Sequence, residues 1–407
     1  MSTPNSGLKR IAHAALWGAL MAIPAHAAPA EPPEIASMDV LPAEQWSRVD
    51  EANRRALDWL LTQQQPDGSF TTIETAQPAV TSLATLAFLA AGCRPGEGEA
   101  GAALKNACGY ILSCQRDDGL LARVGPAGPV ESFTSSHTSN YNHAIAGVCL
   151  GELYGSVNAE RNADIMEAIG KALNFTFHEQ KRALRVPEER GGWRYGKLNH
   201  NVDSDVLVTA WHIMFLRSAK NAGFPVPQQV VDDAHDYVMR CYDPSEGTFT
   251  YVLPQLETAK YSTSITGAAI LSFTLAGKGD DPAIKSAGEW LLRHQITGYR
   301  QPDGRADAPY FYGVFYGSQA SFQLGGEAWR RYYPPVVSQL VDNQLEDGSW
   351  EVETDRGQMV GRVYNTALAV LTLTISDQLL PIFQRRRKHR VARRSRHECA
   401  SRGAWAG

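Results

Sequence analysis

The amino-acid sequence predicts an all-α protein that closes into an α/α toroid of about six helix hairpins, with twelve principal helices in an inner and an outer ring. Three features predict this fold. A helical pattern at residues 55–70 returns five more times, and each copy precedes a second, more apolar segment. The first and sixth copies are also among the most complete. Self-similarity of this kind is typical of repeat architectures.

The repeated pattern is a helix that ends in a sharp turn. In the first copy Ala56, Trp59 and Gln64 lie on one stripe of the helix, so the glutamine ends an apolar seam. The Pro-Asp-Gly that follows breaks the helix, and Phe70 then folds back beside the seam. The glutamine position is filled by Gln64, Gln115, Gln180, Tyr242, Gln295 and Gln344. These positions are 49 to 65 residues apart, which sets the length of one unit.

The segment after each turn is apolar on nearly all sides and rich in small residues, as at 80–92 and 265–277. Such a helix is buried on more than one side, whereas the repeat helix carries charges such as Asp58 and Glu289 on one face. Each unit therefore pairs an outer amphipathic helix with an inner buried one. An open solenoid needs altered, polar end repeats, so the complete first and sixth copies favour a closed ring.

The sequence divides into four regions. Residues 1–27 predict a signal peptide, because Lys9 and Arg10 precede an apolar run at 11–23 that is too short to span a bilayer. Residues 28–43 form a Pro-rich linker, 44–381 the repeat domain, and 382–407 a basic tail that we expect to be disordered. The protein is therefore expected to be exported, as a periplasmic or secreted protein.

The charge of the chain is unevenly distributed. Residues 385–402 contain nine basic residues and one acid, and without them the formal charge changes from −4 to −12. This tail could contact anionic surfaces, with a solvated terminus as the alternative. Nucleic acid is excluded as a partner by the expected export, and the oligomeric state is left open. The six cysteines are too sparse for a disulfide framework, so we expect buried thiols at Cys108, Cys114 and Cys149, with one bridge as the alternative.

The repeated pattern resembles the QW motif of squalene and oxidosqualene cyclases and the related repeat of protein prenyltransferase β-subunits. The resemblance covers residues 44–381 and is specific for the fold rather than for an activity. It implies a toroid in which each glutamine bonds main-chain groups at helix ends and stacks on the aromatic residue of the turn.

Polar and aromatic residues precede or open the inner helices. In a barrel of helices these N-termini gather around one mouth, where unpaired N–H groups favour polar ligands. The candidate substrate-binding residues in these segments are His137, Tyr141, His143, His200, Tyr261, Thr263, Tyr310, Tyr312, Tyr316, Arg362, Tyr364 and Asn365.

Two acids are candidates for catalysis. The segment from Asp203 to Val206 is similar to the D-x-D-D-T-A motif of squalene cyclases, in which the middle Asp protonates an alkene, and Asp205 matches that middle position. Val206 replaces the following Asp, and two extra residues precede Thr209. The alternative is that Asp205 caps a helix that begins near Val206.

No metal or cofactor is expected. The D-x-C pair with which protein prenyltransferases hold zinc is absent from the sequence. Residues 232–236 match D-D-x-x-D, a diphosphate motif, but we interpret them as acids in the first turn of an outer helix.

Three functions remain open. The first is a terpene-cyclase-like or prenyltransferase-like toroid that binds an isoprenoid or another apolar small molecule or lipid in its central cavity. This first function includes the case in which the protein also cyclises or transforms the bound molecule. The second is a non-catalytic toroid for binding or assembly, and the third a glycan-active six-hairpin toroid. A deep apolar cavity would favour the first, and an open groove with paired carboxylates the third. Whether the protein is an enzyme stays open; if it is, the resemblance implies a terpene cyclase or mutase.

Overall fold

The computed structural model describes residues 40–131, 134–197, 202–255, 260–300, 309–352 and 360–384. Within these ranges the chain forms twelve α-helices and one short two-stranded ladder. The predicted signal peptide, most of the linker, and residues 385–407 of the tail lie outside the described residues. No described helix has both the length and the apolar character that crossing a membrane requires.

The helices alternate between an outer and an inner position along the chain. The outer helices are α1 (Ala43–Leu61), α3 (Gly98–Ser113), α5 (Ala159–Gln180), α7 (Gln228–Arg240), α9 (Pro282–Arg293) and α11 (Gly326–Asp342). The inner helices are α2 (Ala79–Ala90), α4 (Ser135–Leu153), α6 (Val206–Asn221), α8 (Thr263–Leu275), α10 (Tyr310–Leu324) and α12 (Arg362–Leu373). Strands β1 (Tyr242–Asp243) and β2 (Thr248–Phe249) pair between α7 and α8.

The six inner helices form a closed ring. Each packs against the next, from α2 through α12, and α12 packs against α2. At the same seam α1 contacts both α11 and α12. Small residues permit this close packing: a Cβ on Gly267 of α8 would lie 2.6 Å from the backbone of Tyr316 of α10. The predicted all-α toroid with two rings of six helices is confirmed.

A pair of hydrogen bonds from one glutamine joins successive units. Gln64 Nε2 donates to the carbonyl of Gly68 in its own turn, at 3.2 Å, and to that of Ala103 in the next outer helix, at 2.8 Å. The same pair runs from Gln115 to Gly119 and Ala168, from Gln180 to Gly191 and Val230, and from Gln344 to Gly348 and Ala52. The acceptors lie in the turn and in the neighbouring outer helix. Ala103, Ala168 and Ala52 are inside that helix, and only Val230, in the first turn of α7, lies at a helix end as the resemblance implied.

In the four units with the glutamine pair, the glycine of the turn is required for two reasons. Gly68 has φ +90°, and a Cβ there would lie 2.4 Å from the carbonyl oxygen of Asn106 in α3. Gly348 repeats this geometry at the seam, with φ +91° and 2.4 Å to the carbonyl oxygen of Arg55. Only a residue without a side chain permits both the turn and the close approach of the next helix.

Two units replace the glutamine pair with another connection. In the fourth unit Tyr242 pairs with Phe249 in the β-ladder. In the fifth, Gln295 forms no such pair within the described residues, and Gln339 of α11 instead donates to the carbonyl of Ile296 at 3.0 Å. The pattern alone did not show these exceptions.

The C-terminal segment covers the ends of several inner helices. Gln323 of α10 donates to the carbonyl of Phe383 at 2.8 Å, and the Ile382 N–H donates to Glu152 of α4 at 3.3 Å. Because Ile382 and Phe383 are buried, the packed region extends beyond the predicted boundary at 381. At the other end Leu41, which we assigned to the linker, is buried as well.

The predicted thiols are part of the core. Cys108, Cys114 and Cys149 are buried and free, as expected, and Cys241 is buried and free too. Burial raises the pKa of the Cys108 and Cys114 thiols to about 11, so both stay protonated at neutral pH.

The seam should depend on Gln344. Replacing Gln344 with Ala removes the two bonds that join the sixth unit to the first, so we expect the free energy of unfolding to fall by about 1 to 3 kcal/mol. The matched control is Gln295→Ala, which removes the same side chain from a unit without the pair. Urea unfolding followed by circular dichroism measures both, and equal losses would show that the bonds add nothing to stability.

Glu152 should make stability depend on pH. Burial raises the pKa of its carboxyl from 4.5 to about 7, against the opposing effects of the Ser218 hydroxyl and the Ile382 N–H. Because the folded chain then holds its proton more tightly than the unfolded chain, stability falls as pH rises from about 4.5 to about 7. Glu152→Gln should therefore stabilise the protein at pH 8 by ~2 kcal/mol and flatten this part of the profile.

Thermal unfolding between pH 4 and pH 8 tests this effect, with Glu99→Gln on an exposed face of α3 as the control. A Glu152→Gln profile parallel to that of the wild type would contradict the assignment.

Candidate functional site

The site is centred on the start of α6. Asp205 is the N-cap of this helix, and its Oδ1 accepts the Val208 N–H at 2.8 Å. The Asp205 N–H bonds the carbonyl of Trp193 at 3.0 Å, and the Val206 N–H bonds that of Tyr251 at 2.9 Å. The turns of the third and fourth units therefore hold Asp205 in place, and its side chain is fully buried. The predicted cap geometry is present.

A buried cation pairs with the same carboxylate. Arg194 Nη1 lies 3.3 Å from Asp205 Oδ2, and both side chains are buried. The guanidinium lies 4.4 Å from the centre of the Tyr195 ring and 5.4 Å from that of Tyr251. The Tyr195 and Tyr251 hydroxyls are 2.9 Å apart. Aromatic faces thus stabilise the cation on the sides that the carboxylate leaves open.

The pair is ionised at neutral pH. Burial raises the pKa of Asp205 to about 6, although Arg194 and the Val208 N–H lower it. Burial acts to lower the pKa of Arg194, but the negative charge of Asp205 outweighs this and leaves that pKa above its ordinary value. A carboxyl with a pKa near 6 is a weak acid, and most of it is deprotonated at pH 7.

Five tyrosines lie close enough to Asp205 for its charge to act on their phenols, and we call them the tyrosine wall: Tyr141, Tyr195, Tyr251, Tyr312 and Tyr316. Burial raises the pKa of each phenol, and the charge of Asp205 raises it further, so all five stay neutral. Tyr312 accepts a hydrogen bond from the Trp211 indole. Tyr141 and Tyr251 are half-buried, whereas Tyr195, Tyr312 and Tyr316 are buried.

His137 adjoins the wall. Its ring centre lies 4.2 Å from that of Tyr195 and 6.1 Å from that of Tyr141. Burial and the Arg194 charge lower its pKa to about 4, so the imidazole is neutral. The structure therefore brings together Asp205, His137, Tyr141, Tyr312 and Tyr316 from the candidates. Burial raises the pKa of the Tyr316 phenol, and the nearby Tyr312 and then the half-buried Tyr364 raise it further, so Tyr364 lies near the wall.

The remaining candidates bond to groups outside this cluster. His143 accepts the Leu121 N–H at 3.1 Å and lies 2.9 Å from the Thr176 hydroxyl, so it sits between α4 and α5. Tyr261 donates to Asp243 at 2.6 Å. The others form the pairs Thr263 with the His294 carbonyl, Tyr310 with Gln339, Arg362 with Asp347 and Ser349, and Asn365 with the Glu351 carbonyl. His200 lies outside the described residues.

Helix geometry explains this division. His137 and Tyr141 are four residues apart and share one face of α4, whereas His143, two residues further, faces another side. Tyr312 and Tyr316 likewise share a face of α10 that Tyr310 does not.

Asp203 forms hydrogen bonds with the loop at residues 185–189 and is not part of the cluster around Asp205. Its Oδ2 accepts the N–H groups of Arg185 and Val186 at 2.5 and 2.9 Å. Its own N–H donates to Glu189, a buried carboxyl whose pKa burial raises to about 6. The two candidate acids thus face different surroundings, although one residue separates them.

Arg194, Tyr195 and Tyr251 were not among the candidates. Tyr195 and Tyr251 each follow the closing aromatic of a turn by two residues, after Trp193 and Phe249. The chain runs from these turns across the ends of the inner helices. The position after the turn was therefore the available signal. Among the described residues, no group of three or more His, Cys, Asp or Glu could hold a metal ion.

The fold is similar to solved structures with different activities. A type II terpene cyclase from Scytonema, in complex with geranylgeranyl dihydroxybenzoate, has a TM-score of 0.50 and 14% identity over 84% of this chain and 100% of that chain. A glycosidase variant in complex with glucose has a TM-score of 0.56 and 11% identity over the same shares. A GH76 α-mannanase from Bacteroides thetaiotaomicron has a TM-score of 0.52 and 12% identity, over 82% of this chain and 95% of that chain.

The sequence matches no protein-family model and none of the curated proteins it was compared with. At identities this low, the structural similarity establishes the α/α-toroid fold and leaves the activity open.

Proposed function

We propose that this protein binds an isoprenoid or another apolar small molecule inside its ring, against the tyrosine wall. The observation that carries the proposal is the cluster of five tyrosines near the buried Asp205, of which Tyr141 and Tyr251 are half-buried. We also propose that the protein is exported, on the pattern of residues 1–27.

The chemistry of the wall favours an uncharged ligand. The five phenols and His137 are neutral, and Asp205 and Arg194 offset each other's charge. Tyrosine rings offer large apolar faces with a hydroxyl at one edge, which suits a hydrocarbon that carries one polar group.

Cyclisation of a polyene is a second candidate, favoured by the position of Asp205 at the start of an inner helix. Protonating an alkene needs a strong acid, and a carboxylate held by Arg194 and the Val208 N–H with a pKa near 6 is a poor one. This is why binding is the first proposal.

Glycan recognition is a third candidate, because tyrosine faces also stack on sugar rings. The similarity to a glycosidase in complex with glucose motivates it.

Ligand binding should depend on Tyr141. We expect farnesol, a neutral isoprenoid alcohol, to quench the fluorescence of Trp211 in a saturable way, and Tyr141→Leu to weaken its binding about tenfold, because a stacking face is lost. Tyr154→Leu, at the other end of α4 where Tyr154 contacts Phe224, is the matched control and should bind as the wild type does. Saturation by maltotriose and not by farnesol would support glycan recognition instead.

Asp205 should act as a structural ion rather than as an acid. Asp205→Asn retains an acceptor for the Val208 N–H but leaves Arg194 buried without its partner, so we expect a loss of about 3 kcal/mol in unfolding free energy. Combining it with Arg194→Met should recover part of that loss.

Incubation of the wild type with squalene should give no cyclic product. Turnover by the wild type that a folded Asp205→Asn variant lacks would establish the acid chemistry and refute this assignment.

A further inference from the structure

An inserted segment in the third unit lies beside the tyrosine wall. Residues 181–190 separate Gln180 from the glycine of its turn. Arg182 donates to the carbonyl of Tyr195 at 3.2 Å and to that of Asp203 at 2.9 Å. The Asp203 carboxylate accepts the N–H groups of Arg185 and Val186. The segment is therefore fixed at the end of the ring where α6 begins.

The outer surface of this segment combines free cations with apolar side chains. Lys181, Arg185 and Arg190 are exposed, and within the described part of the chain none of them forms a salt bridge. Leu184 and Val186 lie between these cations in the sequence, are half-buried, and are not among the residues that pack against the hydrophobic core.

A fourth cation lies against the segment. Arg240 of α7 donates to the carbonyl of Glu188 at 2.9 Å. Burial lowers the pKa of Arg240, and the nearby charge of Arg190 lowers it further. Arg190 and Arg240 are therefore held close together, although the whole chain carries a formal charge of −4. The exposed acid within the segment is Glu188.

We propose that residues 181–190 dock the protein on the surface of an anionic lipid bilayer. The anionic lipid headgroups would pair with the cations that have no acidic partner in the segment. Leu184 and Val186 can insert among the headgroups, in the interface of the bilayer. The negative charge of the whole chain opposes such contact, so the attraction has to come from a local patch. The segment would turn the tyrosine wall's end of the ring toward the bilayer. This surface goes beyond the proposed function and does not depend on which ligand is bound.

The test uses the full chain and vesicles of phosphatidylcholine with roughly one-third phosphatidylglycerol, at low salt. The wild type should co-sediment with them and not with pure phosphatidylcholine. Arg185→Gln with Arg190→Gln should weaken the partition about 25-fold, since each cation near the surface contributes about fivefold. The matched control is Arg94→Gln with Lys220→Gln, which should bind as the wild type does. Both cations are exposed and lie near the C-terminal ends of α2 and α6, whereas the segment lies where α6 begins.

The apolar side chains give a second, independent measurement. Leu184→Ser with Val186→Ser should weaken the partition without changing its dependence on salt, and should leave the melting temperature unchanged because both residues lie outside the core. Failure of the wild type to bind the anionic vesicles overturns the proposal. So does undiminished binding by the double arginine variant, which would assign the contact to another region such as residues 385–407. Binding to dextran sulfate that matches vesicle binding and ignores the serine changes would assign the patch to a soluble polyanion.

Discussion

The toroid depends on a side-chain amide that donates twice. In four of the six units the glutamine bonds the carbonyl of its own turn and a carbonyl of the next outer helix, so it sets the distance between two units. The turn glycine makes this possible, because the backbone of the next helix occupies the space of a side chain at Gly68. Four interfaces of this kind and the two substitute connections join the six units, and the inner helices close into a ring. The position of every group in the site follows from this arrangement.

The site itself is a compromise between burial and charge. Asp205 has to be buried because it caps α6 beneath the turns of two units, and an isolated carboxylate there would be costly. Arg194 and the Val208 N–H offset that cost, and the tyrosine faces do the same for the arginine. The result is a neutral, aromatic interior around a fixed ion pair. This surface suits binding better than proton transfer.

The sequence predicted the ring well and the site only in part. Helix periodicity and the repeated glutamine are local signals, so the twelve helices, the two rings and the closure could be predicted. Which side of an inner helix faces the interior depends on its rotation against its neighbours, so Tyr312 and Tyr310 could not be told apart. Arg194 lies in a turn, where its role comes from the fourth unit packing against the third. The replacement of Gln295 by Gln339 is likewise a tertiary effect that no single repeat shows.

Closure also governs the order in which the chain can assemble. The glutamine bonds within the ring join residues 39 to 53 positions apart, but the bond from Gln344 to Ala52 spans 292. Neighbouring units can pack as soon as both exist, and the loop that each contact closes is short. The seam requires the first and last units to meet, so its loop-closure entropy is the largest in the molecule. Until then, the faces of α2 and α12 that will pack together stay open to water. The first unit is therefore fully packed only when the sixth unit has folded against it.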